Sequence, residues 1–222
     1  MKVLAVRVRA LVALAAVAHA ACRGAPAPLP GGEGPGLVRA DDAPPPGAPT
    51  WARPEWRVGD RFTLVRGERL RGTFEVVARD EEGYEIDVGD GRRLRRDLDL
   101  GNLGEREIAD GEPTRVLSPV DVRYHWPLWV GKRWECGFVD RARGGQALPM
   151  RASYVVEGLD RVTVPAGAFD ALRIVRTLRL DLDGDWLTRT QVLWYAPVEG
   201  LEVRQLLGDT MVELERVERA DS

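Results

Sequence analysis

From Trp56 onward the chain repeats with a period of two. Tyr84-Glu85-Ile86-Asp87-Val88 and Leu178-Arg179-Leu180-Asp181-Leu182 alternate apolar and polar residues without a break. Shorter alternations pair Phe62 with Leu64, Phe74 with Val76, Tyr154 with Val156, Leu201 with Val203 and Val212 with Leu214. Successive side chains of an extended strand point to opposite faces, so this period means strands with one buried face. Gly67, the stretch 80–83, Asp90-Gly91, Gly144-Gly145, Gly184 and Gly208-Asp209 fall between the runs at hairpin spacing. No segment after Trp56 carries a capped helical period. The expected fold is all-β and mostly antiparallel, a single curved sheet or half-open β-barrel of about nine or ten strands. Residues 99–122 read as less regular.

Two kernels suggest that the sheet has two related halves. Trp56-Arg57-Val58-Gly59-Asp60-Arg61-Phe62 resembles Leu128-Trp129-Val130-Gly131-Lys132-Arg133-Trp134, 72 residues further on. In both, a glycine turn launches a strand. Chance recurrence of a common turn is the competing explanation.

The N-terminal part obeys other rules. Lys2, Arg7 and Arg9 precede an unbroken apolar run from Ala10 to Ala18, and small residues surround Cys22. This is the pattern of a secretory signal, and the run is too short to span a bilayer. Ala18-His19-Ala20 fits ordinary signal cleavage, whereas Ala20-Ala21-Cys22 resembles a lipobox, with His19 where an aliphatic residue is usual. The favoured reading is a signal peptide over 1–21 and lipid attachment at Cys22. A Pro/Gly/Ala-rich tether over 22–55 then leads into an antiparallel β domain over 56–222. Such a tether cannot bury enough apolar surface to offset its ordering entropy. Arg23 after the cysteine, rather than Asp, points to the outer membrane, facing the periplasm or the cell surface. A soluble periplasmic or secreted protein is the alternative. Loss of residues 1–21 removes three arginine or lysine charges and no acid, taking the formal charge from −3 to −6. That sign, and the scatter of the arginines among acids, argue against nucleic-acid partners.

Chemistry-bearing residues are few. If Cys22 is acylated or removed, Cys136 is a lone thiol, read as a buried structural one. A Cys136–His125 dyad is conceivable but disfavoured. One Cys and one His cannot build an ordinary zinc site. Asp181-Leu182-Asp183-Gly184-Asp185 resembles the start of a calcium loop but lacks its later glutamate, so an Asp-Gly turn is preferred. No nucleophile-elbow, zincin or phosphate-loop motif occurs. The expectation is a chain without catalysis, cofactor or metal.

Three motifs add a resemblance. Trp126-Pro127-Leu128-Trp129-Val130-Gly131-Lys132-Arg133-Trp134 is followed by Val164-Pro165-Ala166-Gly167-Ala168-Phe169-Asp170-Ala171-Leu172-Arg173-Ile174. Trp194-Tyr195-Ala196-Pro197-Val198-Glu199-Gly200-Leu201 comes next. The trio resembles a recurring set of uncharacterised bacterial envelope proteins and lipoproteins, over residues 124–206. The resemblance implies a curved antiparallel sheet and export, and carries no catalytic residue. At fold level a curved half-barrel is similar to the LolA/LolB-type lipoprotein carriers. Without the family, Val164–Gly167 reads as a tight reversal, with Pro165 fixing φ and Gly167 accepting a positive one.

The candidate ligand-contacting residues are Trp126, Trp129 and Trp194, with Trp134 completing an apolar groove, and Arg176. Arg176 shares a strand face with Leu172, Ile174, Leu178, Leu180 and Leu182. An arginine facing a core needs an acidic partner or an anionic ligand, unless a bulge returns it to water. A bulge or an internal salt bridge is preferred. The leading functional expectation is therefore an exported, lipid-anchored envelope protein, held to the membrane by its lipid, that binds a hydrophobic small molecule or another envelope component. The alternative is a structural or assembly lipoprotein docking on a surface or secretion complex.

Overall fold

The structure is a computed structural model and describes residues 36–67, 70–182 and 185–221. Cys22, the signal segment and Asp183-Gly184 lie outside the described residues. Among the described residues there is no helix, and thirteen strands form one antiparallel sheet. They are β1 (Leu37–Ala40), β2 (Arg61–Arg66), β3 (Leu70–Arg79), β4 (Gly83–Asp87), β5 (Arg92–Asp97), β6 (Asn102–Glu107) and β7 (Pro113–Asp121). β8 (Arg133–Ala142), β9 (Ala147–Val164), β10 (Gly167–Leu182), β11 (Asp185–Ala196), β12 (Leu201–Leu207) and β13 (Thr210–Glu218) complete the sheet.

The all-β antiparallel fold expected from the period-two pattern is present, and the sheet closes. Strands β2 to β13 each pair with their neighbours in sequence, and β13 pairs back onto β2 through Leu214↔Leu64 and Val217↔Phe62. The result is a twelve-stranded up-and-down barrel, an arrangement that leaves no sheet edge along the ring. β1 lies outside the ring. It pairs with the first half of β8 (Ala40↔Trp134), while β7 pairs with the second half (Ser118↔Val139).

Three expectations are corrected. The tether does not run to residue 55, because Leu37–Ala40 is a strand and Trp51 exchanges two backbone hydrogen bonds with Leu128. Four residues are too few to show a period among prolines and glycines. The strand count is thirteen. Part of the excess is β6 and β7, which occupy the stretch read as irregular.

The two kernels occupy matching places. Gly59 and Gly131 share a φ of 97°. Gly59 N donates to Val76 O and Val76 N to Asp60 O, and Gly131 N donates to Val156 O and Val156 N to Lys132 O. Each kernel opens one run of six barrel strands, β2–β7 and β8–β13. Between β9 and β10 the Val164-Pro165-Ala166-Gly167 reversal is present as read, with Val164 paired to Gly167 and Gly167 at φ 136°. The hairpin it closes folds across to β13, where Ala166 N donates to Leu214 O.

The outer wall carries cross-strand ion pairs: Arg61–Glu75, Arg71–Glu215, Arg93–Glu85 with Arg106–Glu85, Arg151–Glu135 and Arg204–Glu213. A barrel that spans a bilayer turns an apolar band outward. This wall faces water.

Candidate functional site

Alternation along the strands decides which side chains enter the lumen. One inward layer crosses five strands in register: Trp134 on β8, Tyr154 on β9, Arg176 on β10, Gln191 on β11 and Leu207 on β12. Trp134 and Tyr154 stack with ring centres 4.8 Å apart. Arg176 is the pattern-breaking arginine, and the structure gives it the internal salt bridge. Its Nη2 lies 2.9 Å from Asp121 Oδ2, Nε donates to Tyr154 Oη at 2.8 Å, and Nη1 donates to Gln191 Oε1 at 2.9 Å. Burial works against the Arg176 cation, but Tyr154 and Asp121 outweigh it and hold its pKa above the ordinary value. Asp121, only 2% exposed, also accepts from Tyr154 Oη at 2.9 Å and Asn102 Nδ2 at 3.2 Å.

A second buried network lies beside it. Arg123 donates to Glu202 through Nε (2.6 Å) and Nη2 (2.8 Å), and the Tyr124 hydroxyl and Gln205 amide donate to the same carboxylate. Burial alone would push the Glu202 carboxyl up. The Arg123 guanidinium overcomes this, helped by Arg96 and the Tyr124 hydrogen bond, and holds it at about 2.

These networks separate two compartments, which share Leu94 and Gln205 as lining residues. The larger has a volume of about 440 Å³ and is walled by Asp121, Arg123, Arg176, Arg115, Asp140 and Gln191, with Leu117, Phe138 and Leu207 between them. Its lip continues outward along Met150, Leu178, Leu180 and Leu187, the last 44% exposed, with Arg189 beside them. The smaller, about 90 Å³, is lined mostly by Trp56, Phe62, Leu64, Phe74, Ile86, Leu94 and Leu100, with Arg96, Tyr124, Tyr195, Glu202 and Gln205 as its polar members.

The four tryptophans do not share a groove. Trp134 points into the lumen. Trp194 is paired with Arg173 and Arg204 on the outer face, where its indole donates to Asp160 at 3.0 Å. It is one residue out of step with the inward Leu193 and Tyr195, and strand parity puts it on the other side. Trp126 stacks on Tyr124 (5.3 Å) and meets Tyr195 edge-on (5.6 Å). Trp129 is buried under the Lys132 ammonium, 4.1 Å above its ring. Of the proposed contacts, Arg176 is the one that lines the larger compartment. The residues that organise the lumen with it, Asp121, Arg123, Glu202 and Arg96, were not singled out in sequence. Parity with Leu94 in Arg92-Arg93-Leu94-Arg95-Arg96 was the available signal for Arg96.

The Cys136–His125 dyad is not assembled. The Cys136 thiol meets Asp121 Oδ1 at 3.6 Å and Val122 O at 4.0 Å. Burial and the neighbouring carboxylate push its pKa far up, the reverse of what a thiolate nucleophile needs. In the folded chain a maleimide is therefore expected to leave the Cys136 peptide unmodified for hours, and to label it fully in urea. Peptide mapping by mass spectrometry checks this, and rapid native labelling would contradict it. Among the described residues no cluster of His, Cys, Asp or Glu could hold a metal ion.

No known protein family matches the chain, and no curated protein does. A solved structure shares its fold. The hypothetical lipoprotein YmcC from Escherichia coli superposes with a TM-score of 0.50 at 10% identity, over 76% of this chain and 91% of that one. A candidate lipoprotein from Parabacteroides distasonis gives 0.46 at 10% identity, over 76% of this chain and 99% of its own. A candidate exported protein with a YmcC-like fold from Bacteroides fragilis gives 0.45 at 13%, over 77% of this chain and all of its own.

Proposed function

We propose that this chain is an exported envelope protein, anchored to the outer membrane by lipid on Cys22, that holds a small amphipathic molecule in its barrel without catalysis. The observation that carries the reading is the compartment of about 440 Å³ with a lip of Met150, Leu178, Leu180 and Leu187 beside Arg189 and a hydrogen-bonding floor. Small-molecule sites commonly span about 300–1,000 Å³ and combine apolar walls with a few placed polar groups. The charged walls refine the expected hydrophobic ligand to one with a polar end. Its apolar part would rest on Met150, Leu178 and Leu180, and its polar part would meet Arg115, Gln191 or the Arg176–Asp121 pair. The signal segment and Cys22 support the anchor, and the YmcC-like fold agrees with it. Docking through a strand edge finds less support, since the ring consumes its edges and β1 is four residues long.

The test is native mass spectrometry of the chain purified from its own envelope, followed by solvent extraction. The expected result is an adduct of a few hundred daltons that the solvent releases. A bare polypeptide mass in every preparation would overturn the reading and turn the search to protein partners.

A further inference from the structure

The smaller compartment contains a cation without a counter-ion. Arg96 projects from β5 into the lumen, where its guanidinium lies 5.7 Å from the Trp56 ring centre. Its Nε is fully buried and has no hydrogen-bond partner, and no carboxylate lies within ion-pair distance of it among the described residues. The nearby acid, Glu202, is already engaged by Arg123, Tyr124 and Gln205. Arg123 thus takes the carboxylate's hydrogen bonds, and Arg96 acts on it only through space. Tyr195 lines the same compartment, and its buried hydroxyl is likewise without a partner. Buried polar groups are almost always satisfied, so two orphans around one apolar cavity point to something that completes them. An arginine without a counter-ion is best completed by an oxyanion, whose oxygens match its fork of donors.

The rest of the wall selects the anion. Trp56, Phe62, Phe74, Ile86 and Leu100 offer no donors, and the Tyr124 hydroxyl and Gln205 amide are spent on Glu202, so a phosphate or dicarboxylate would leave oxygens unsolvated. The volume of about 90 Å³ is smaller than the roughly 150 Å³ cavity that accepts benzene. From this geometry we propose that the inner compartment is a binding site for a small monocarboxylate, with its carboxylate on Arg96 and a tail of about one or two carbons against the aromatic wall. The proposal deepens the reading of the barrel as a ligand holder and rests on it.

The test uses the lipidated full chain in nanodiscs, with melting followed by tryptophan fluorescence against sodium acetate and, separately, sodium octanoate. Acetate is expected to raise the melting temperature saturably and octanoate to do less, because its tail does not fit. Arg96→Met is expected to weaken the acetate response about tenfold or more. The same variant should raise the melting temperature of the unliganded chain, because an unpaired cation leaves the barrel. Arg96→Lys, which keeps a charge, should retain a weaker saturable response. No saturable response of the wild type to acetate, or equal affinity in Arg96→Met, would overturn the assignment. Saturation by octanoate alone would also overturn it, while leaving the larger compartment as a ligand site.

Discussion

Asp121→Ala is expected to destabilise the chain by about 3–5 kcal/mol, because it leaves a buried guanidinium without its counter-charge. Arg176 is 6% exposed and Asp121 2%, so water from the compartment restores only part of what the carboxylate supplied. The same substitution strips an acceptor from Tyr154, Asn102 and Cys136. For a domain of this size the loss corresponds to a fall in melting temperature of about 10 °C or more. Paired removal behaves differently. Asp121→Leu with Arg176→Met should recover most of the loss, since neither charge is then desolvated. Asp170→Ala is the control. Its partner Arg161 stands in water, and such pairs shift melting by no more than about 2 °C. A melting series over these variants decides the matter, and an Asp121→Ala melt like that of Asp170→Ala would refute the buried pair.

Glu202 gives the second large effect, and its signature is in pH. Its carboxyl is held at about 2, against 4.5 for the ordinary group, so the native state keeps it ionised where the unfolded chain takes up a proton. The stabilisation is therefore fully present above about pH 4.5 and is lost as pH falls toward 2. A shift of this size corresponds to about 3 kcal/mol. Glu202→Gln keeps the shape and removes the charge. At neutral pH its urea midpoint should lie well below that of the wild type. The gap should narrow steadily between pH 4.5 and 2, because other acids titrate equally in both proteins. Parallel curves across that window would show that Arg123 does not depend on the Glu202 charge.

The wall of the barrel was legible in the sequence where its lumen is apolar. Phe62, Phe74 and Ile86 mark an apolar face at every second residue, and the glycine turns fall between strands. The pattern fades where the lumen is polar. On β6 and β7 the inward residues Asn102, Glu105, Arg115 and Asp121 are hydrophilic while the outward Val116 is apolar, so no apolar-inward period marks the buried face. The stretch that read as irregular is the wall of the larger compartment. Arg176 was noticed because it interrupts an otherwise apolar face, whereas Glu202 and Arg123 sit among many charged residues and interrupt nothing. The tryptophan groove failed for a related reason. Aromatic identity is visible in sequence, but the one-residue offset that turns Trp194 outward and Trp134 inward is fixed only by pairing across strands. Closure was also beyond local reading, because β2 and β13 lie at opposite ends of the folded chain.

The lumen as the place of binding is tested most directly by filling it. Leu178 lines the larger compartment and its lip, so Leu178→Trp occupies the space without altering the outer wall. Native mass spectra of the two chains, purified from the same envelope, should show an adduct on the wild type and none on a folded Leu178→Trp chain. An adduct of equal mass and occupancy on both would contradict binding inside the barrel.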